Sequence, residues 1–158
     1  MLPVLAVLVF VVFVVIMAKY LLLRRASAMR ALALRWGFHY SSGDSQVLTS
    51  PEESPSLPDW FDVSLYPASE IRTVSNVVEG ERNGIKVLIF DSVVGRPKGA
   101  YCSFIATQTP ENLFGVTSPG EKITQTSQCT MLYRFRFIQV PGTLSIRSIE
   151  DRLKNLAA

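Results

Sequence analysis

The sequence predicts an α+β protein: an N-terminal transmembrane helix, then an antiparallel β-sheet domain with a C-terminal helix packed on it. Three observations carry this expectation. Residues 1–18, MLPVLAVLVFVVFVVIMA, contain no charged side chain. Residues 76–91, NVVEGERNGIKVLIFD, set an Asn-Gly pair between two strand-like runs. Residues 145–158, SIRSIEDRLKNLAA, carry apolar residues at helical spacing. The predicted organisation is a membrane span over 1–23, a juxtamembrane helix over 24–37 and a domain over 38–158.

As a helix, residues 1–23 are about 34 Å long, against about 30 Å of bilayer hydrocarbon. Lys19 lies near the end of the run, where its ammonium reaches the headgroups, and Tyr20 suits the interface. A cleaved signal peptide ending at Ala26-Ser27-Ala28 is the competing reading. It needs a basic start, an apolar core of about 7–15 residues and a cleavage site close behind. Here no cation precedes Lys19, the apolar run is longer, and Lys19, Arg24 and Arg25 all stand before Ala26. A retained anchor fits better. Its apolar run has no Asp, Glu, His, Asn, Gln or Arg and reads as a lipid-facing tether. The positive-inside bias places the C-terminal side in the cytoplasm, giving a single-pass protein of the cell inner membrane with its N-terminus outside. Lys19, Tyr20, Arg24, Arg25, Arg30 and Arg35 are the expected membrane-interface residues.

Residues 24–36, RRASAMRALALRW, continue in helical composition, with Gly37 as the C-cap. Met29, Leu32, Ala33 and Trp36 fall on one face. That stripe either lies along the bilayer or docks on the domain; its narrowness and the apolar residues that follow favour docking.

Charge separates the two parts. Of 16 basic and 13 acidic residues, five basic and no acidic ones lie in 1–36, leaving 11 basic against 13 acidic in the remainder. A mildly acidic domain argues against nucleic acid, which requires a positive surface to displace phosphate counterions. Cys102 and Cys129 are 27 residues apart with no Cys-x-x-Cys or Cys-His spacing, so neither a metal site nor a disulfide framework is indicated. In a cytoplasmic domain they are expected as buried thiols.

Within the domain, residues 37–40 read as a short strand, and 41–58, with six Ser and three Pro, as a mobile loop. Ser56 is a candidate cap for a short helix that supplies Trp60, Phe61 and Leu65 as apolar contacts and stops at Pro67. Asn83-Gly84 predicts a two-residue hairpin turn, because both central positions need positive φ. That turn sets Arg82 opposite Ile85, Glu81 opposite Lys86, Gly80 opposite Val87, Glu79 opposite Leu88 and Val78 opposite Ile89. Residues 100–107 form a third strand and 112–116 a fourth. Residues 130–140 alternate, with Met131, Tyr133, Phe135 and Phe137 on one side and Arg134 and Arg136 on the other. The last helix is expected to be capped by Ser148 and to face Ile149, Leu153 and Leu156 inward.

No catalytic constellation emerges. YRFRF, 133–137, is similar to aromatic-basic RNA-binding strands, but alternation puts its rings and arginines on opposite faces. GRPKG, 95–99, offers Arg96 and Lys98 as possible contacts for an anionic ligand, against its simpler role as a connection. GVTSPGEK, 115–122, has Glu121 where a phosphate loop needs lysine. His39 is the single histidine, and no Gly-x-Ser-x-Gly is present. The sequence nominates no catalytic residue, no metal ligand and no cofactor.

ALALRWGFHY, NVVEGERNGIKVLIFD and GRPKGAYCSFIAT together resemble a loose group of uncharacterised bacterial proteins with one N-terminal membrane helix, a short Arg/Ala/Leu helix ending in Gly-aromatic, and an Asn-Val-x-x-Gly hairpin. The resemblance covers about residues 1–107. It departs at Ser92-Val93-Val94, where that group more often has an aromatic strand end. It implies a small membrane-tethered domain and supplies no catalytic residues. The functional expectation is a non-catalytic module that meets membrane lipid through its tether and binds a protein partner, or serves as an accessory subunit of a membrane complex. The alternatives are a lipid- or small-ligand-binding module at the bilayer surface, and an enzyme using His39 or a cysteine.

Overall fold

In the computed structural model, the apolar run and the arginine-rich segment after it form one uninterrupted helix, α1 (Leu2–Trp36). The structure describes residues 2–43, 57–62, 65, 71–94, 100–135 and 144–156. At 1.5 Å per residue α1 is about 52 Å long. It is long and apolar enough to cross a membrane, and its apolar window packs against nothing in the domain. Gly37 ends it at φ 71°, with Phe38 N–H donating to the Ala33 carbonyl at 2.8 Å and Gly37 N–H to that of Leu34 at 3.4 Å. This pair of bonds satisfies carbonyls that a helix end leaves open, and a left-handed glycine makes it possible.

Among the described residues six antiparallel strands follow: β1 (His39–Ser41), β2 (Ile71–Arg82), β3 (Ile85–Val94), β4 (Ala100–Thr107), β5 (Glu121–Gln125) and β6 (Thr130–Phe135), then α2 (Ile146–Asn155). The sheet order is β1-β2-β3-β4-β6-β5. The fold is α+β, as the patterning predicts. Asn83 and Gly84 turn β2 into β3 with φ of 51° and 78°, and all five predicted cross-strand pairs from Arg82–Ile85 to Val78–Ile89 are present.

The sheet is buried on both faces. On one, Leu88, Phe90, Phe104, Ala106, Met131 and Tyr133 are covered by Phe61 and Leu65, with Leu57 and Trp60 packed against them. Phe90 stacks on Phe104 at 4.9 Å between centroids, and Phe61 meets Phe90 edge-on at 5.6 Å. On the other, Val78, Val87, Ile89, Ile105 and Leu132 lie beneath Met29, Leu32 and Ala33 of α1 and Ile149, Leu153 and Leu156 of α2. The Met29/Leu32/Ala33/Trp36 stripe therefore docks on the domain. Leu132, which the alternation left among arginines, is a core residue under the helices.

Three local expectations are corrected. Residues 112–116 are not a strand: Asn112 Oδ1 accepts from Phe114 N–H at 3.1 Å and Gly115 takes φ 72°, a turn that drops Phe114 into the core. The strand in this region is β5, whose EKITQ has only partial burial and so shows weak alternation. Among the described residues, the segment around Trp60 is a turn closed by Phe61 N–H to the Pro58 carbonyl at 2.9 Å, with a 3₁₀ turn at Leu65, whose N–H donates to the Asp62 carbonyl at 3.1 Å, rather than one continuous helix. The cap of α2 is Ser145, whose Oγ accepts from Ser148 N–H at 3.1 Å. Ser56 and Pro67, most of the 41–58 loop, Arg96 and Lys98 of GRPKG, Arg136 and Phe137 lie outside the described residues.

Candidate functional site

The strongest concentration of polar side chains in the described structure sits where α1 meets the sheet. β2 is bulged between Ser75 and Val78, and Asn76 there adopts φ 53°. Left-handed backbone is tolerable for asparagine and breaks the alternation, so polar groups gather at an otherwise apolar layer. Opposite the bulge, β3 contributes Asp91 and β4 contributes Ser103, its partner in the ladder.

Asp91 is almost fully enclosed, its side chain 2% exposed. Its Oδ2 accepts from Arg25 Nε at 2.9 Å and from Asn76 Nδ2 at 3.0 Å. Its Oδ1 accepts from Arg25 Nη2 at 3.0 Å and from Ser103 Oγ at 2.6 Å. Arg25 Nη1 donates to the Leu144 carbonyl at 2.7 Å, just before α2. Tyr40 hydroxyl donates to Asn76 Oδ1 at 3.1 Å, and the Arg30 guanidinium lies over the Tyr40 ring at 5.1 Å. One two-pronged ion pair thus joins α1, β2, β3, β4 and the start of α2. A buried carboxylate needs such partners, since desolvating an uncompensated charge is expensive.

A second buried pair holds α2. Arg152 Nη2 donates to Glu121 Oε2 at 2.9 Å, and Arg152 Nη1 reaches the Val116 carbonyl at 2.9 Å and the Phe114 carbonyl. Glu121, which disqualifies 115–122 as a phosphate loop, is the internal counter-ion of Arg152. Glu121 Oε2 also accepts from Ser118 N–H at 2.8 Å, which shapes the turn.

The expected interface residues divide into two groups. Lys19, Tyr20 and Arg24 are exposed on α1. Arg25 is taken up by Asp91, Arg30 lies on Tyr40, and Arg35 pairs with Glu150 of α2. Sequence reasoning missed the Arg25–Asp91 clasp. The available signal was an acid, Asp91, directly after the apolar run VLIF in a strand that the register makes central.

His39 and the cysteines are not brought together. His39 is exposed on edge strand β1, three strand spacings across and four ladder positions along from Cys102 on β4, about 20 Å. Cys102 pairs with Phe135 and Thr107 with Thr130, so Cys129 falls six ladder positions from Cys102, about 20 Å. A disulfide needs Cα atoms within about 7 Å. Burial pushes the Cys102 thiol up to about 12. Burial also raises Cys129, whose Sγ donates to the Trp60 carbonyl at 3.3 Å.

No group of three or more His, Cys, Asp or Glu able to hold a metal occurs among the described residues. Comparison with family models, with curated proteins and with solved structures found no match.

Proposed function

We propose that this chain is a single-pass membrane protein whose cytoplasmic domain is a non-catalytic interaction module or an accessory subunit of a membrane complex. The observation that carries the reading is the continuity of α1. The helix passes without a break from its apolar run into the stripe buried on the sheet, and the Arg25–Asp91 pair ties it there. A flexible linker would let a tethered enzyme search for substrate. A rigid joint instead presents one fixed face to neighbours at a set height above the bilayer. Asp91 accepts four hydrogen bonds from three side chains, so the network is saturated, as suits a joint. The cluster of cations from Lys19 to Arg35 supports the cytoplasmic orientation.

Leu34 and Val116, 77% and 89% exposed, are suitable positions for a photo-crosslinking residue. Crosslinking in intact cells, followed by purification in mild detergent, is expected to recover a stoichiometric protein partner. Strictly monomeric material with no crosslinked species at either position would overturn the reading. Reporter fusions at the C-terminus check orientation: fluorescence from a cytoplasm-dependent reporter is expected, and alkaline phosphatase activity would contradict it.

A further inference from the structure

We infer that the domain does more than hang from its helix: its bilayer-side end rests on anionic lipid headgroups. The inference rests on the membrane-anchored reading above. The eighteen uncharged residues before Lys19 make about 27 Å of helix, close to the hydrocarbon thickness. Arg25 is six residues, about 9 Å, past Lys19. Helical side chains lean toward the N-terminus, here toward the bilayer, and the headgroup layer is about 5–8 Å deep on each side. The Arg25 guanidinium is therefore at headgroup depth, and so is what it holds: Asp91 and the Leu144 carbonyl.

Two further elements are aligned by this contact. Phe38, at the far end of α1, lies on Gly80, the ladder partner of Val87, whereas Arg25 meets Asp91. β3 thus runs antiparallel to α1, and its end, paired as Val94–Ala100 with β4, lies on the bilayer side of Asp91. α2 begins next to Leu144 and runs away from the bilayer: Glu150 meets Arg35, and Asn83 Nδ2 at the distal hairpin donates to the Leu156 carbonyl. Its first turn, with exposed Ser145 and Arg147, therefore sits at the level of Arg25.

The exposed charge at the bilayer end is of one sign. Among the described residues, exposed Lys19, Arg24 and Arg147 lie at the bilayer end. Toward the distal hairpin the signs are mixed: Glu79 and Glu81 lie there with Arg82 and Lys86, and Lys86 stands directly opposite Glu81. Glu111 is there too, its segment held by Gln108 N–H donating to the Lys86 carbonyl. The acids on α2 are engaged, Glu150 with Arg35 and Asp151 with Lys154. An exposed end of one sign, Lys19, Arg24 and Arg147, facing the bilayer matches an anionic leaflet.

The test uses the full chain in nanodiscs of phosphatidylcholine alone or mixed with phosphatidylglycerol. Spin labels are placed one at a time at Phe13→Cys, Ser145→Cys and Glu111→Cys, with Ser148→Cys as a second site in case loss of the cap perturbs α2. The expected result is lipid-type oxygen accessibility at 13, exclusion of a water-soluble nickel relaxant at 145 or 148, and full access at 111. Arg147→Gln is expected to weaken the preference for the anionic disc about fivefold. Water access at 145 and 148 equal to that at 111, with 13 in lipid, overturns the seat alone. A label at 13 outside lipid overturns the anchor reading and the seat together.

Discussion

Asp91 and Cys102 set the two sharpest residue-scale expectations. Asp91→Ala leaves the Arg25 charge enclosed without its carboxylate, and breaking a buried pair in this way costs about 3–5 kcal/mol. Removing both partners, as Arg25→Met with Asp91→Leu, is expected to recover most of that loss in denaturant unfolding of the detergent-solubilised chain. For Cys102, burial raises the pKa from 9.0 to about 12, because the thiolate cannot be solvated within the aromatic layer. The folded chain then keeps a proton that the unfolded chain releases above pH 9. Stability therefore falls as pH rises from about 9 toward 12, and Cys102→Ala removes the Cys102 part of that slope, leaving the part that Cys129, also raised by burial, contributes. At pH 8 the native thiol is expected to react with maleimide only as fast as the protein opens. The burial of Cys102 was readable from its strand. The Arg25–Asp91 pair was not: Asp91 after VLIF signals a buried acid, but its partner is 66 residues away and nothing local singles out Arg25 among the arginines of α1.

The near half of hairpin β2–β3 was readable pair by pair, since one dipeptide with positive φ at both positions determines the five rungs from Arg82–Ile85 to Val78–Ile89, up to the bulge at Asn76. β5 was not: its edge position leaves it half exposed, and no period separates it from the turn before it. The serine that caps α2 was misread by three residues for a related reason. Ser145 and Ser148 both precede apolar residues, and only the bond from Ser148 N–H to Ser145 Oγ distinguishes them. Ser145→Ala is accordingly expected to lower stability by about 1 kcal/mol. Ser148→Ala should change it by less than about 0.5 kcal/mol, as in a surface substitution with no special role. Thermal unfolding of the two variants side by side checks the assignment. Gly80 is a second element-scale constraint. A methyl there would enter the Phe38 ring, so Gly80→Ala is expected to destabilise by about 1–3 kcal/mol, and by less in a Phe38→Leu background.

At the scale of the whole molecule, the chain is a long helix rigidly joined to a two-sided sheet. Apolar length and the split of charge made the helix evident from sequence, and the stripe from Met29 to Trp36 pointed to its docking. That the joint is also ionic, and that Arg25, Arg30 and Arg35 each meet a partner in the domain, depended on the fold. Such a joint makes the apolar helix and the domain move as one body. The most direct test is the distribution of distances between spin labels at Leu22→Cys on α1 and Lys122→Cys on β5, both exposed, in lipid nanodiscs. One narrow distribution is expected, broadening in Asp91→Ala while near-ultraviolet circular dichroism still reports a packed aromatic core. A broad distribution in the unsubstituted chain, or a narrow one unchanged by Asp91→Ala, would contradict it.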